Sequence, residues 1–231
     1  MVKKKDKAEE NILAVEEALS KTEVFIEKHQ KILYIIIFAI IVIVLGIFGF
    51  KRLYLAPREK DAQSQMFMAE KYFEKDSLRL ALNGDGNYLG FLDIIDDYKL
   101  TKTATLAHYY SGLCYLHLGE FQNAINYLEK FKSKDHIVSS MAFGALGDAY
   151  LELDNREKAL NYYLKAADHN TNAYTTPMFL LKAGMTYELK GDYTEALKLY
   201  ERVRDEFKTS SEFRNIDKYI ARVKGFLGTN P

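Results

Sequence analysis

The sequence predicts an all-α protein: one N-terminal transmembrane helix, then a solenoid of three clear helical repeats, preceded by a degenerate repeat and closed by a capping helix. Two observations predict it. Residues 32–50, ILYIIIFAIIVIVLGIFGF, carry no charged or amide side chain and, apart from the phenol of Tyr34, no hydroxyl. Further along, three residue types recur together: Gly112, Gly147 and Gly184; Tyr115, Tyr150 and Tyr187; Ala124, Ala159 and Ala196. All three sets keep intervals of 35 and 37 residues. A period of this length marks an array of helix pairs that bury their apolar faces only by stacking.

The apolar run comes first. At about 1.5 Å per residue it makes a helix of roughly 28 Å, close to the hydrocarbon thickness of a bilayer. Lys28, His29 and Lys31 flank one end and Lys51 and Arg52 the other, with Tyr34 and Tyr54 placed where amphipathic rings favour the interface. A cleavable signal peptide has a shorter apolar region ending in a small-x-small site, whereas this run exits through Gly46-Ile47-Phe48-Gly49-Phe50-Lys51-Arg52. An uncleaved anchor is expected. Three Lys/Arg within twenty residues before the run and four after it barely discriminate orientation, and Lys3, Lys4, Lys5 and Lys7 tip it weakly toward a cytoplasmic N-terminus.

Before the anchor, residues 1–31 read as a charged, partly helical tail, with Ile12, Val15, Leu19 and Ile26 near heptad spacing. After it, residues 51–57 form a juxtamembrane linker, and Pro57 is expected to break the membrane helix and open a soluble one. Met66, Met68, Ala69, Tyr72 and Phe73 mark the apolar side of that helix, which is expected to run to the turn-rich stretch Asn83-Gly84-Asp85-Gly86-Asn87. That stretch lacks the ligand spacing and closing Glu of a calcium loop and reads as a plain loop. The degenerate unit spans 58–98. Ala69 and Tyr72 take its first-helix slot, and GFLDIIDDY takes the second, because Gly90 lies 34 residues before Ala124.

The three repeats occupy 104–210, as GLCYLHLGEFQNAINYLEKF, GDAYLELDNREKALNYYLKA and GMTYELKGDYTEALKLYERV, with turns near Gly119, Asp154 and Gly191. Four residues after each alanine stands Leu128, Tyr163 or Tyr200. Small residues let helices approach, and large ones fill the space they leave. This spacing resembles the tetratricopeptide repeat (TPR). The departures are His108 at a position the family fills with a large aromatic, two extra residues before Pro177, and Asn155-Arg156 in the middle turn. Residues 211–228 form the cap, with an apolar stripe of Phe213, Ile216, Ile220, Val223 and Leu227, solubilising Lys218, Arg222 and Lys224, and Gly225 and Gly228 at its end.

Composition removes several functions. The chain has 32 basic and 32 acidic residues, and from residue 53 onward 23 against 25, so no basic face for nucleic acid is expected. Cys114 is the one cysteine; it excludes an intramolecular disulfide and reads as a packed thiol. His108 and His117 are nine apart rather than three or four, the other histidines are scattered, and no glycine-rich phosphate loop is present. The expectation is no enzyme, no cofactor and no metal. A membrane-bound hydrolase using Asp148 and Glu152, one helical turn apart, is the remaining catalytic alternative.

The TPR resemblance implies a concave protein-binding groove. Its register assigns to that face Tyr109, Leu113, Leu116 and His117 from the first repeat, Met141, Gly144, Asp148, Leu151 and Glu152 from the second, and Met178, Leu181, Met185 and Glu188 from the third. Leu, Met and Tyr with a few acids suit an extended or helical apolar segment, unless the capping helix fills the groove. TPR domains that grip a chaperone's C-terminal carboxylate need Lys and Asn where this chain has Tyr109, Leu113, Gly144 and Asp148, so that use is not expected.

Tail, span and TPR domain together, with the run Phe25-Ile26-Glu27-Lys28-His29-Gln30-Lys31, resemble the ancillary subunit family of the SecYEG translocon. The resemblance implies a single-pass protein of the bacterial inner membrane with its repeat domain in the periplasm. It implies protein partners, the SecYEG translocon or periplasmic chaperones, and a role in protein export or envelope assembly. A scaffold subunit of another envelope complex, for division or surface secretion, is the alternative.

Overall fold

The computed structural model describes residues 28–228, and the chain falls into two units, Met1–Pro57 and Arg58–Pro231. The heptad stripe expected at Ile12, Val15, Leu19 and Ile26 lies outside the described residues. In the first unit, helix α1 (28–49) exposes apolar side chains all round, among them Ile35, Phe38, Val42 and Leu45. Its apolar window has a mean hydropathy of 3.2, and none of it is buried. The helix is long and apolar enough to cross a membrane.

The stop expected at Pro57 is instead a local widening. Residues Phe50–Leu55 form a π-helical stretch, and the Ala56 N–H reaches back to the Lys51 carbonyl. Helix α2 (Ala56–Glu74) starts one residue before the proline. Pro57 has no N–H to donate and its ring crowds the carbonyl four residues back, a conflict that the wider turn upstream relieves. The linker 51–57 is therefore helical.

The second unit continues with α3 (Leu78–Asn83), α4 (Phe91–Asp97), α5 (Lys102–His117), α6 (Phe121–Leu128), α7 (His136–Glu152) and α8 (Arg156–Asp168). It ends with α9 (Thr175–Leu189), α10 (Tyr193–Glu206) and α11 (Phe213–Leu227). Helix α6 packs between α5 and α7, α8 between α7 and α9, and α10 between α9 and α11. The first helices also touch one another, α5 with α7 and α7 with α9. This is an all-α solenoid of helical pairs.

One turn recurs four times. Asp76, Gly119, Asp154 and Gly191 have φ of 56°, 74°, 55° and 78°. The next N–H, of Ser77, Glu120, Asn155 or Asp192, donates to the carbonyl of Tyr72, Tyr115, Tyr150 or Tyr187 at 2.8–2.9 Å. This bond closes the first helix and leaves its donor as the N-cap of the second. Four residues beyond each cap stands a fully buried alanine: Ala81, Ala124, Ala159 and Ala196.

That register corrects the degenerate unit. Helix α2 ends at Glu74, well before the Asn83 stretch, and the second helix begins at Leu78. The counterpart of Ala124 is Ala81, not Gly90. The insertion breaks the second helix at Asn83, and the chain resumes as α4. Gly90 is small for another reason: a Cβ there would lie 2.2 Å from the Leu82 carbonyl oxygen. Asp85 organises the loop, accepting from the Asn87 and Tyr88 N–H groups at 2.9 and 2.8 Å and from the Tyr72 hydroxyl at 2.6 Å.

In the three clear repeats the close approach is the expected one. A Cβ on Gly112, Gly147 or Gly184 would stand 2.5, 2.5 or 2.3 Å from the side chain of Leu128, Tyr163 or Tyr200. The caps follow the sequence too. Thr101 accepts from the Ala104 N–H, Asp135 from Val138 and Asn155 from Lys158, while Glu59 of α2 accepts from the N–H groups of Lys102 and Thr103 and so clamps the start of α5. In α11, Ile216, Ile220 and Val223 are buried against α10. Gly225 lies inside this helix, and Gly228, at φ 67°, ends it.

Candidate protein-binding groove

Helices α5, α7 and α9 present the face to which the groove residues were assigned. On α5, Tyr109, Leu113 and Leu116 are half-buried and pack on the cluster built by α6 and α7. His117 is exposed, with its ring 6.2 Å from that of Phe73. On α7, Met141 is 37% exposed and Glu152 is exposed, while Leu151 packs toward the α8–α11 core. Gly144 does not line open space, since a Cβ there would meet the Phe179 ring at 1.9 Å. On α9, Met178 and Leu181 are half-buried against the same core. Part of the apolar stripe is thus spent on packing one repeat against the next.

Two acids of this face, Asp148 and Glu188, are each held by a tyrosine of their own repeat and a cation of the following unit. Asp148 Oδ1 accepts from the Tyr163 hydroxyl at 2.7 Å, and Lys182 on α9 donates to both its oxygens, at 2.6 and 2.8 Å. Glu188 accepts from the Tyr200 hydroxyl at 2.5 Å and from Arg222 on α11 through Nε at 2.9 Å and a terminal nitrogen at 2.7 Å. Burial, reinforced by these carboxylates, pushes both phenols well above their ordinary range, so they remain neutral donors. A third such pair is Tyr98 with Asp61 at 2.6 Å, whose hydrogen bond and partial burial push the phenol up to about 12. Lys182 and Arg222 were absent from the expected site. Their signal was the sequence interval itself, since each stands 34 residues after the acid it meets.

Helix α11 closes one end of the face. Met185 and Glu188 line a cavity of about 510 Å³ whose far wall is Tyr219, Arg222 and Phe226, and Tyr193 stacks on Phe226 at 4.6 Å. Arg222, expected only to solubilise the cap, is a buttress of that wall. The carboxylate of Asp148 is already engaged by Tyr163 and Lys182, which leaves it poorly placed as the base of a pair with Glu152. Burial pushes the Cys114 thiol up to about 12. Among the described residues, no three His, Cys, Asp or Glu side chains gather as a metal site. His108 is half-buried with Nδ1 unpartnered, and burial together with Lys130 holds its imidazole below the ordinary range.

Family models of the tetratricopeptide repeat match residues 106–135 and 145–211. Both matched stretches lie in the second unit. Its fold is shared by a crystal structure of a MamA protein, 20% identical over 72% of this chain and 82% of that one, with a TM-score of 0.57. A second MamA crystal structure is 18% identical over 69% and 94%, with a TM-score of 0.50. A Podosopora anserina protein, described as a kinesin light chain with nearly identical TPR-like repeats, is 14% identical over 74% and 88%, with a TM-score of 0.55. At these identities the likeness is one of fold. No curated protein matches the chain. Tetratricopeptide repeats imply a surface for protein partners.

Proposed function

We propose that the protein is a membrane-anchored interaction subunit that assists protein export or envelope protein assembly at a bacterial inner membrane. The N-terminus is cytoplasmic and the repeat domain periplasmic. It binds proteins, the SecYEG translocon or periplasmic chaperones among them, along the face of α5, α7 and α9. The observation that carries this reading is the pairing of one apolar, fully exposed helix with a TPR array that still offers apolar side chains at Met141, Met178 and Leu181. The mechanism is tethering. An anchor converts a weak contact into an effectively intramolecular one and raises the local concentration of emerging or membrane-bound clients.

The test is gentle detergent extraction of the tagged full-length chain and identification of what co-purifies, beside Met141→Asp, at an exposed position outside the buried core, with circular dichroism confirming the variant's helices. Translocon subunits or periplasmic chaperones, lost in the variant, are the expected outcome. Their retention would move the contact to the anchor or tail. Division or surface-secretion components alone would replace export with an envelope scaffold.

A further inference from the structure

On the groove face, Asp148 and Glu188 are paired from within the array, by Lys182 and Arg222. Among the described residues, three lysines at one edge of the array have no such partner. Between the start of α5, the connection from α6 to α7 and the start of α7 lies a pocket of about 540 Å³. Its half-buried apolar lining is Leu106, Phe131 and Val138, and Lys102, Lys132 and Lys134 line it too. All three lysines are exposed, and among the described residues none has a carboxylate within ion-pair distance. The acid present, Asp135, is committed to α7, accepting from the Val138 N–H at 3.0 Å. Phe131 is held by the Tyr109 ring at 5.2 Å, so the lining joins the groove stripe of α5.

We propose that this pocket receives a linear acidic segment of a partner protein, one apolar side chain seated over Leu106, Phe131 and Val138 and flanking carboxylates meeting the three lysines. The inference rests on the groove reading and adds the chemistry of the ligand. Apolar contact supplies the anchor, and the unpaired ammonium groups supply steering and register. Each cation gains a partner without any resident ion pair having to break. A segment bearing Lys or Arg beside the anchor would be rejected by the same charges.

The experiment uses the full-length chain in detergent micelles and a fluorescein-labelled peptide, Glu-Glu-Phe-Asp-Leu-Glu-Glu, followed by anisotropy. Two control peptides replace Phe and Leu by Ser, or the acids by Lys. The expected result is saturable binding of the first peptide alone, weakened about tenfold or more by Lys132→Glu with Lys134→Glu and weakened by added salt. Both lysines sit in a connection, and circular dichroism of the variant confirms the helices. Equal binding of the Ser peptide, or indifference to the lysine reversal, overturns the proposal. So does sedimentation of the protein with phosphatidylglycerol vesicles through these lysines without peptide binding, which would assign them to headgroups. Co-purifying partners that survive the lysine reversal but are lost with Met141→Asp would overturn this pocket while the groove reading stands.

Discussion

Lys182 reaches from α9 across to Asp148 on α7, within 2.6 Å of the same oxygen that holds the Tyr163 hydroxyl. The two contacts are unequal. The ion pair is about a third exposed on both sides, where screening leaves it worth about 0–1 kcal/mol. The phenol is buried, and without its acceptor it would stand unsatisfied at a cost of about 1–3 kcal/mol. Asp148→Ala is therefore expected to destabilise the domain more than Lys182→Ala, measured by urea unfolding of the detergent-solubilised chain. An equal or reversed order would show that the ion pair dominates.

Two helical glycines should respond in opposite directions to the same change. Gly147→Ala puts a methyl 2.5 Å from the Tyr163 ring, and overpacking of this kind costs about 1–3 kcal/mol, outweighing the gain in helix propensity. Gly225→Ala meets nothing within 4 Å and removes backbone entropy from the unfolded chain, so it should stabilise by about 0.5–1 kcal/mol. Paired thermal melts check the signs.

Asp154 occupies the left-handed region that Gly119 and Gly191 occupy in the neighbouring turns. Asp154→Gly is expected to raise stability by up to about 1 kcal/mol, since the side chain gives up only an exposed ion pair with Arg156. A lower melting temperature would mean that this pair contributes more than the strain.

Tyr98, Tyr163 and Tyr200 all have ionisation shifted upward from 10.0 by burial and a carboxylate partner. A phenol raised in this way contributes stability that is complete below its unfolded value and is lost as the pH climbs toward the folded one. Circular dichroism should thus hold to about pH 10 and then fall. Replacing Tyr163 and Tyr200 by Phe should move that alkaline transition upward. An alkaline transition left unmoved by the double replacement would contradict the coupling.

The three clear repeats were legible because their small and large residues meet across one interface, as Gly147 meets Tyr163 and Gly184 meets Tyr200. The degenerate unit was legible only in its first helix. Gly90 matched Ala124 by interval, yet it is small to pass the Leu82 carbonyl, and the true signal was Asp76-Ser77, a turn chemically like Asp154-Asn155. The groove residues fall on α5, α7 and α9, and several of them pack between repeats instead of lining open space. Residue type does not separate a leucine facing a partner from one facing the next repeat, as Leu113 and Leu116 do. Lys182 and Arg222 escaped because a cation that meets its acid 34 residues away is invisible to reasoning within one helix.

The cross-repeat ion pairs also make the order of the units chemically directional. Asp148 follows Gly147 by one position and meets Lys182, two positions before Gly184. Two positions before Gly147 stands Ala145, and one after Gly184 stands Met185. A tandem of second repeats would leave the Asp148 side chain opposite a methyl group, and a tandem of third repeats would leave Lys182 opposite a thioether. The array is a sentence rather than a list of like words, and lengthening it by duplication would erase the junctions that join its parts.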